Sequence, residues 1–210
     1  MNIAVVLLRH ISNYTDFDTL ERDERANLFY AIHPDDVERA DIVILPGTKS
    51  TLDDLYHLRR CGMPQAVIHA HKCGRAVVGI CGGFQMLGQS ICDPDGVEGT
   101  IAELPGLGLL DIHTVLTAEK TTRQVTFEWN GSTCSGYEIH QGVSDAQTMV
   151  VEKEGVIGTY VHGFLDNPAV IEWLLNKIPH TQSAFKGIPA NPQEFKEKEY
   201  DRLADHVRHH

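Results

Sequence analysis

The sequence places a cysteine among glycines directly after an apolar run. Residues 76–78 read Ala-Val-Val, and residues 79–85 read GICGGFQ, with Cys81 at the centre. A G-x-C-x-G pattern between a strand and a helix is typical of a nucleophile elbow, because the glycines permit a sharp turn that exposes the central side chain. The N-terminus of the following helix would favour the reactive thiolate. The alternative interpretation is an inert buried cysteine in a glycine-rich turn.

A cysteine nucleophile also needs a base and hydrogen-bond donors for the charge that develops on the substrate oxygen. His162 directly follows the last apolar run, so it is predicted at the same sheet edge as Cys81. The N–H of Gly82 is one predicted oxyanion donor, and Gly47 or Thr48, after another strand, supplies the second. Alone, each would be interpreted as a structural histidine or an ordinary turn. Together they predict a site for acyl transfer.

Short apolar runs alternate with helical patterns in the first half of the chain, and this alternation predicts an α/β fold. We expect a mostly parallel central sheet with helices on both faces and its site at the carboxyl ends of the strands. The predicted strands are 3–8, Ile42–Leu45 and Ala76–Ile80, and the predicted helices are 50–59, with Ser50 as its N-cap, and 64–72.

The second half of the chain has the pattern of antiparallel strands. Strands are predicted at 109–117 and 124–129, with a hairpin turn at Asn130-Gly131, and at 156–161. We expect the strands at 109–117 and 124–129 to extend the central sheet in a mixed or antiparallel arrangement, and 156–161 is predicted as a last buried strand that leads into His162. A helix is predicted from Pro168 to about residue 177, and another over 193–206, in a tail of residues 180–210 packed on the outside. We find no repeat, so residues 1–210 are predicted to form one domain.

Composition excludes several classes of function. The chain has 210 residues, with 18 basic against 29 acidic side chains and a net charge of -11, which disfavours binding to nucleic acid or anionic membranes. We find no apolar window long enough for a membrane span and no charged leader, so a soluble, cytoplasmic protein is predicted. The five cysteines are an odd set without a C-x-x-C pair, which indicates reduced thiols.

The motifs resemble those of class I, triad-type glutamine amidotransferases. The GICGGFQ stretch is similar to their C-x-G-x-Q nucleophile motif, and the YVHG stretch at 160–163 resembles their histidine strand. The cobalamin-pathway branch is indicated by LPGTKST at 45–51, GYEIHQG at 136–142 and GTYVHG at 158–163. The opening RHISNYTDFD at 9–18 resembles the cobyric acid synthases in particular. The similarity extends from residue 3 to about residue 207.

This resemblance implies a flavodoxin-like fold and a glutaminase reaction. Cys81 would attack the side-chain amide of glutamine to form a thioester, and His162 would transfer the proton. Gln85, Tyr137 and His140 would help to form the glutamine pocket. The released ammonia would amidate side-chain carboxylates of a corrin precursor.

The sequence departs from the common class I pattern at the third catalytic residue. Many relatives carry a glutamate two positions after the histidine, but Phe164 stands there in this chain. The resemblance therefore implies a dyad of Cys81 and His162, as is known for this branch. Glu138 and Asp166 are weak candidates for the third role.

The chain also lacks a G-x-x-x-x-G-K-[ST] loop for ATP. We expect no cofactor and no metal in this domain. ATP and Mg²⁺ would bind to a synthetase domain, supplied either by a longer chain or by a partner subunit. If the chain is a domain of a longer chain, Met1 could be an addition. His209-His210 could be native or the remnant of a tag.

Other functions remain open from the sequence alone. The helical pairs His57/Cys61 and His69/Cys73 could bind zinc. The chain could be a free-standing glutaminase subunit that serves amidation of a cell-wall lipid precursor, although the 9–18 segment argues against it. It could also be a non-catalytic binding module, or an unrelated cysteine hydrolase that uses the same elbow. Gln85 and the GYEIH stretch argue against the last reading.

Overall fold

The central sheet has six strands in the order β2-β1-β3-β4-β10-β9. In the computed structural model the described residues are 1–177, which lie within one unit, Met1–Pro179. The strands are β1 (Asn2–Val6), β2 (Asn27–Ala31), β3 (Ile42–Leu45), β4 (Ala76–Ile80), β9 (Val150–Lys153) and β10 (Val156–Thr159). All neighbouring pairs are parallel except β9 and β10. The predicted α/β class is confirmed.

Helices cover both faces of this sheet. They are α1 (Asp18–Arg22), α2 (Pro34–Val37), α3 (Thr51–Cys61), α4 (Met63–Lys72), α5 (Gly82–Leu87) and α6 (Pro168–Lys177), with 3-10 turns at Tyr14–Phe17 and Phe164–Asp166. Every residue of β3 and β4 is buried, as expected for central strands that are covered on two sides. Within the described part of the chain, no helix is long and apolar enough to span a membrane.

Five further strands form a separate sheet, so the prediction that the strands at 109–117 and 124–129 extend the central sheet is wrong. Its order is β11-β8-β7-β5-β6. The strands are β5 (Ser90–Cys92), β6 (Glu103–Pro105), β7 (His113–Trp129), β8 (Ser132–Ser144) and β11 (Val161–His162). The two strands predicted at 109–117 and 124–129 are one long strand, β7, with an irregularity between Val115 and Lys120. The hairpin at Asn130-Gly131 is confirmed, and both residues have the positive φ that its turn needs.

Other element boundaries differ from the prediction in ways that concern the site. The strand predicted at 156–161 is divided, because β10 ends at Thr159 in the central sheet and β11 begins at Val161 in the second. This crossing carries His162 to the carboxyl edge of β4. The edge strand β2 was missed, and β1 ends at Val6 rather than at residue 8. The helix predicted over 193–206 and the 180–210 tail lie outside the described residues.

Helix α5 packs very closely on β3. A Cβ atom added to Gly83 would overlap the backbone carbonyl of Leu45, which cannot move aside as a flexible side chain could. The missing side chain of Gly83 therefore lets α5 start directly at the end of β4. That start fixes the position of the residue between them, Cys81.

Replacing Gly83 with alanine should destabilise the protein in spite of the better helix propensity of alanine. We expect Gly83→Ala to lower the free energy of unfolding by about 3 kcal/mol through overpacking. Gly74→Ala is the control, because Gly74 has a positive φ but open space around it, and should cost about 1 kcal/mol. Urea unfolding of both variants measures the difference. Equal losses would contradict the close packing of α5 on β3.

Candidate active site

Cys81 has a strained backbone conformation at the junction of β4 and α5. Its φ is 52° and its ψ is -111°, a region that residues with a side chain rarely occupy. Such strain costs about 1–3 kcal/mol and persists only where the surroundings impose it. The N–H of Cys81 donates to the carbonyl of Thr159 at 2.8 Å, and its own carbonyl accepts from the N–H of Gln85 at 3.1 Å. The predicted nucleophile elbow is therefore present in the backbone.

His162 lies beside Cys81. It also contacts Asp16 and Asn13, two residues that sequence analysis did not select as site residues. Its Nδ1 atom is 2.7 Å from the Oδ2 atom of Asp16 and 2.9 Å from the amide Nδ2 of Asn13. The N–H of Gly163 donates to the other carboxylate oxygen of Asp16 at 3.0 Å. The side chains of His162 and Asp16 are 1% and 2% exposed, so this contact is shielded from water.

Opposing effects act on the protonation of His162. Burial alone would lower its pKa, but the hydrogen bonds and charges of Asp16 and Cys81 outweigh burial and raise the pKa to about 9. At neutral pH the ring is therefore an imidazolium. It can donate from Nδ1 to Asp16 and present its other nitrogen to the sulfur of Cys81.

The predicted oxyanion donors also meet at this point. A Cβ atom on Gly82 would lie 3.3 Å from the backbone nitrogen of Thr48, so the loop after β3 lies against Gly82. Gly47 lies against Cys81 and His162, because a Cβ atom there would be 3.6 Å from the Cβ atom of Cys81 and 3.3 Å from the Cε1 atom of His162. Of the two residues predicted in this loop, Thr48 lines the cavity beside Cys81.

Asp54 holds the loop that carries these donors. Its buried carboxylate accepts from the Thr48 hydroxyl and from the backbone N–H groups of Arg9, at 3.1 Å, and His10, at 3.3 Å. This carboxylate ties the segment after β1 to the segment after β3. Both segments are thereby fixed at the edge of the sheet where Cys81 lies.

A cavity of about 210 Å³ opens over Cys81. Its lining includes the predicted residues Cys81, Gly82, Gln85 and His140, together with Ser12, Asn13, Thr48, Lys49, Thr51, Glu98, Lys120, Ile139 and Gln141. Tyr137 is not in this lining. Its ring stacks on His162 instead, with 5.3 Å between ring centres. Tyr137 therefore supports the histidine rather than the cavity wall.

Gln85 is clamped by its neighbours. It is 2% exposed, and its carbonyl oxygen accepts from the Thr51 hydroxyl at 3.0 Å. Its amide nitrogen donates to the carbonyl of Gln141 at 3.0 Å and lies 3.2 Å from the hydroxyl of Tyr160. Gln85 thus joins α3 to β8 across the floor of the cavity.

His140 stands between this cavity and a second one. The second cavity, of about 400 Å³, is also lined by His140, with Tyr160, Arg123 and Glu138 among its other residues. The His140 ring stacks on Tyr160 at 3.8 Å between ring centres. Burial lowers the pKa of His140, so its imidazole is neutral at physiological pH.

Glu98 is the acidic group of the cavity. Its carboxylate accepts from the N–H of Leu52 at 3.1 Å and lies 3.3 Å from the Thr51 hydroxyl. Glu98 thereby caps the N-terminus of α3. Ser50, which was predicted to be the capping residue, makes no side-chain capping bond. Burial raises the pKa of Glu98. Among residues 1–177, no ion pair neutralises Glu98.

The two acids considered for the third catalytic role are engaged elsewhere. Glu138 accepts from the guanidinium of Arg123 at 2.5 Å, and Asp166 accepts from the hydroxyl of Thr19 at 2.6 Å. Neither hydrogen-bonds His162 within the described part of the chain. The acid that contacts His162 is Asp16. It lies in the stretch 9–18, which sequence analysis used only for its resemblance to the cobyric acid synthases.

Among residues 1–177, neither possible zinc pair belongs to a group of three potential ligands. The imidazole of His57 lies 2.6 Å from the guanidinium of Arg9, and the thiol of Cys61 donates to a backbone carbonyl. Over residues 1–177, the one group of three potential ligands is His10, Asp53 and Asp54. Asp54 is already satisfied by the loop contacts described above, so this group carries no case for a metal.

Comparison with protein families identifies the family of this chain. The model of the CobB/CobQ-like glutamine amidotransferase domain matches residues 2–170, which include Asp16, Cys81 and His162. The chain belongs to this family. Its role is therefore that of a glutamine amidotransferase domain, and the predicted family is confirmed.

Curated relatives are more specific about the branch. The chain is 49% identical over 232 residues to the cobyric acid synthase of Bacteroides fragilis, which covers 100% of this chain and 46% of the relative. It is 40% identical over 221 residues to that of Clostridium perfringens, covering 98% of this chain and 45% of the relative. The chain thus spans about half the length of the curated relatives that it matches.

Solved structures share the fold at low sequence identity. A crystal structure of a glutamine amidotransferase has a TM-score of 0.62 and 18% identity, covering 84% of this chain and 97% of its own. The structure of PurLQS from Thermotoga maritima has a TM-score of 0.59 and 18% identity, covering 85% of this chain and 99% of its own. These matches support the predicted class I, flavodoxin-like architecture.

The clamp on Gln85 can be tested by a change that keeps its shape. In Gln85→Glu, a carboxylate oxygen would face the carbonyl of Gln141, and a buried acceptor would lose its donor. We expect a loss of about 1–3 kcal/mol of unfolding free energy at neutral pH. The loss should shrink in acid, because a protonated carboxyl can donate to that carbonyl.

Gln89→Glu is the matched control for this variant. The Gln89 amide also donates to a backbone carbonyl, that of Leu110 at 3.1 Å, but Gln89 is exposed and water can replace the bond. Urea unfolding at two pH values compares the variants. A Gln85→Glu protein as stable as Gln89→Glu would contradict the clamp.

Proposed function

We propose that this chain hydrolyses glutamine and supplies the ammonia to a synthetase that amidates corrin carboxylates. The observation that carries the proposal is the position of Cys81. Its backbone is strained, and its thiol lies beside the buried imidazolium of His162 at the floor of a cavity. A non-catalytic module would have no need to maintain this strain. Membership of the amidotransferase family supports glutamine as the substrate.

The first half of the proposed reaction forms a thioester. The Cys81 sulfur attacks the side-chain carbonyl carbon of glutamine, and the carbonyl oxygen becomes an oxyanion. The N–H of Gly82 and an N–H of the Gly47-Thr48 loop would stabilise that oxyanion. His162 donates its proton to the amide nitrogen, the C–N bond breaks and ammonia leaves.

The second half releases glutamate. Water enters where ammonia left, and the now neutral His162 takes one of its protons. The resulting hydroxide attacks the thioester carbon, and the C–S bond breaks. Glutamate and the Cys81 thiolate are formed, and His162 is an imidazolium again. The new side-chain carboxyl group loses its proton to water, so the cycle consumes one glutamine and one water and yields one glutamate, one ammonia and one proton.

The charges of the cavity fit an amino-acid substrate. Glu98 lies at one part of the lining without a cationic partner among residues 1–177, and a substrate ammonium group would provide one. Lys49 and Lys120 line the same cavity and are suited to a substrate carboxylate. In this proposal the pocket is completed by Gln85, which forms its floor, and by His140, which forms a wall. Tyr137 acts indirectly, through its contact with His162.

The acceptor of the ammonia is inferred from the curated relatives. They are named cobyric acid synthases and are about twice as long as this chain, which leaves room for a synthetase domain in each. We assign the binding of ATP, Mg²⁺ and the corrin substrate to such a domain, and no cofactor to the present one. The same relatives favour corrin amidation over amidation of a cell-wall lipid precursor.

The nucleophile can be identified by a diazoketone analogue of glutamine, diazo-oxo-norleucine. We expect one adduct, on Cys81, by mass spectrometry and peptide mapping. Cys61 and Cys73 serve as internal controls, because they are exposed while Cys81 is buried. Labelling that follows exposure instead would contradict a glutamine site at Cys81.

Kinetics of Cys81→Ser complete this test. We expect glutamine hydrolysis to fall by about 10⁴-fold or more, since removal of the nucleophile disables a group that acts as a unit. The variant should keep the unfolding midpoint of the parent protein, and Cys73→Ser should keep its activity. Full turnover in Cys81→Ser would overturn the mechanism.

The role of Glu98 can be tested with a truncated substrate. In Glu98→Gln an oxygen remains to accept from Leu52, so the cap of α3 is kept and the charge is lost. We expect kcat/KM for glutamine to fall about 10- to 100-fold, as for a lost charge-assisted hydrogen bond. Glutaramate, which is glutamine without its α-amino group, should react equally with both proteins. An equal loss for both substrates would refute the contact with the ammonium group.

A further inference from the structure

A buried carboxylate lies behind the proposed catalytic base. Asp16 belongs to the 3-10 turn Tyr14–Phe17, which follows β1, whereas His162 is in β11. The two residues are 146 positions apart in the chain, yet their side chains are in direct contact at 2.7 Å. The common class I position for this acid, two residues after the histidine, is occupied by Phe164.

The topology explains how a residue near the N-terminus reaches the site. Strands β1, β3, β4 and β10 are parallel neighbours in that order, so the segments that follow them emerge at one edge of the sheet. The turn after β1 carries Asp16, the elbow after β4 carries Cys81, and the crossing after β10 carries His162. An acid on the first of these segments can therefore replace one that follows the histidine directly.

We propose that Asp16 is the third member of the catalytic group and acts as a positioning residue for His162. The inference rests on the proposed glutaminase function. Asp16 accepts a hydrogen bond from the Nδ1–H group of the ring, which directs Nε2 to the sulfur of Cys81 and fixes the tautomer once the ring has given up its other proton. It also stabilises the positive charge that His162 carries before it protonates the leaving ammonia.

Two features distinguish Asp16 from a merely structural acid. Its carboxylate is buried, and among the described residues its one ion pair is with His162, so the imidazolium is the cation that balances it. Its second oxygen accepts from the N–H of Gly163, which fixes the carboxylate in the plane of the contact. Asn13 lies at the same ring nitrogen, but its amide nitrogen can only donate, so Asp16 is the acceptor for the proton on Nδ1.

The titration of His162 measures this role without any need for activity. We expect the ring of His162, followed by NMR in the 210-residue protein, to titrate near pH 9. In Asp16→Asn the attraction of this carboxylate is lost while burial and the contact with Cys81 remain, so the pKa should fall towards its ordinary value of about 6.5. An unchanged titration in Asp16→Asn would overturn the proposal.

Stability should follow the same linkage. A histidine whose pKa is raised on folding stabilises the protein fully below its unfolded pKa of about 6.5, and this contribution disappears as the pH rises through the folded value. The unfolding free energy of the parent protein should therefore exceed that of Asp16→Asn most at about pH 6. The difference should shrink as the pH rises to about 9.5. A constant difference would indicate a purely structural contact.

Reaction rates separate positioning from substrate binding. Asp16→Asn should lower kcat for glutamine hydrolysis about 10²- to 10⁴-fold with little change in KM, as expected when an orienting acid is neutralised. Asp166→Asn is the matched control, because that acid is near but bonds Thr19, and it should keep the rate within a few-fold. A larger loss in Asp166→Asn than in Asp16→Asn would assign the role to Asp166.

The failure of this inference can be distinguished from failure of the proposed function. If the parent protein gives no Cys81 adduct with the diazoketone, the glutaminase function fails, whatever the titration shows. If the adduct forms and Asp16→Asn is labelled as fast as the parent protein, the function stands and the role of Asp16 is refuted. A slower reaction at Cys81 together with a lowered His162 pKa supports both.

Discussion

The left-handed backbone of Cys81 is the constraint on which the rest of the site depends. A residue with a side chain accepts a φ of 52° only where neighbouring contacts leave no alternative. Here β4 is buried at every position and α5 begins at the next residue, so the chain must turn within Cys81 itself. The absence of side chains at Gly79 and Gly83 permits that turn, because a Cβ atom at either would overlap neighbouring atoms. The energy of burying β4 and α5 thus maintains the position of the Cys81 side chain in the lining of the cavity.

The crossing of the chain from the central sheet to the second sheet brings His162 to the sulfur of Cys81. Strand β10 pairs with β4, but the chain leaves the central sheet after Thr159, whose hydroxyl accepts from the N–H of Val161 at 3.0 Å. The strand that follows packs on β8 at Gly136, where a side chain would overlap the carbonyl of His162. This close approach explains why a glycine opens the GYEIHQG stretch. Proximity of His162 to Cys81 is therefore a consequence of the crossing between the sheets.

Local signals in the sequence were sufficient for part of this arrangement. The apolar strands, the glycines around Cys81 and the turn at Asn130-Gly131 each express a short-range rule, and the structure follows them. The polar stretch 117–123 interrupts the alternation of β7, so one strand was interpreted as two. Asp16 and Glu98 had no comparable signal, since their positions depend on contacts with residues far away in the chain. No rule of spacing predicts an acid 146 residues before its histidine.

Two carboxylates act on the proposed site in different ways. The charge of Asp16 is balanced by the imidazolium of His162 in the empty protein, whereas Glu98 gains a cation only when an ammonium group binds. In the proposed reaction, the ammonium group of glutamine would therefore balance the charge of Glu98, and a neutral amide would meet Cys81. Glutamate presents a carboxylate at that place, beside the thiolate that hydrolysis regenerates, and like charges repel. In the proposed reaction, Glu98 and the two lysines of the cavity thus favour binding of the substrate, whereas the regenerated thiolate favours release of the product.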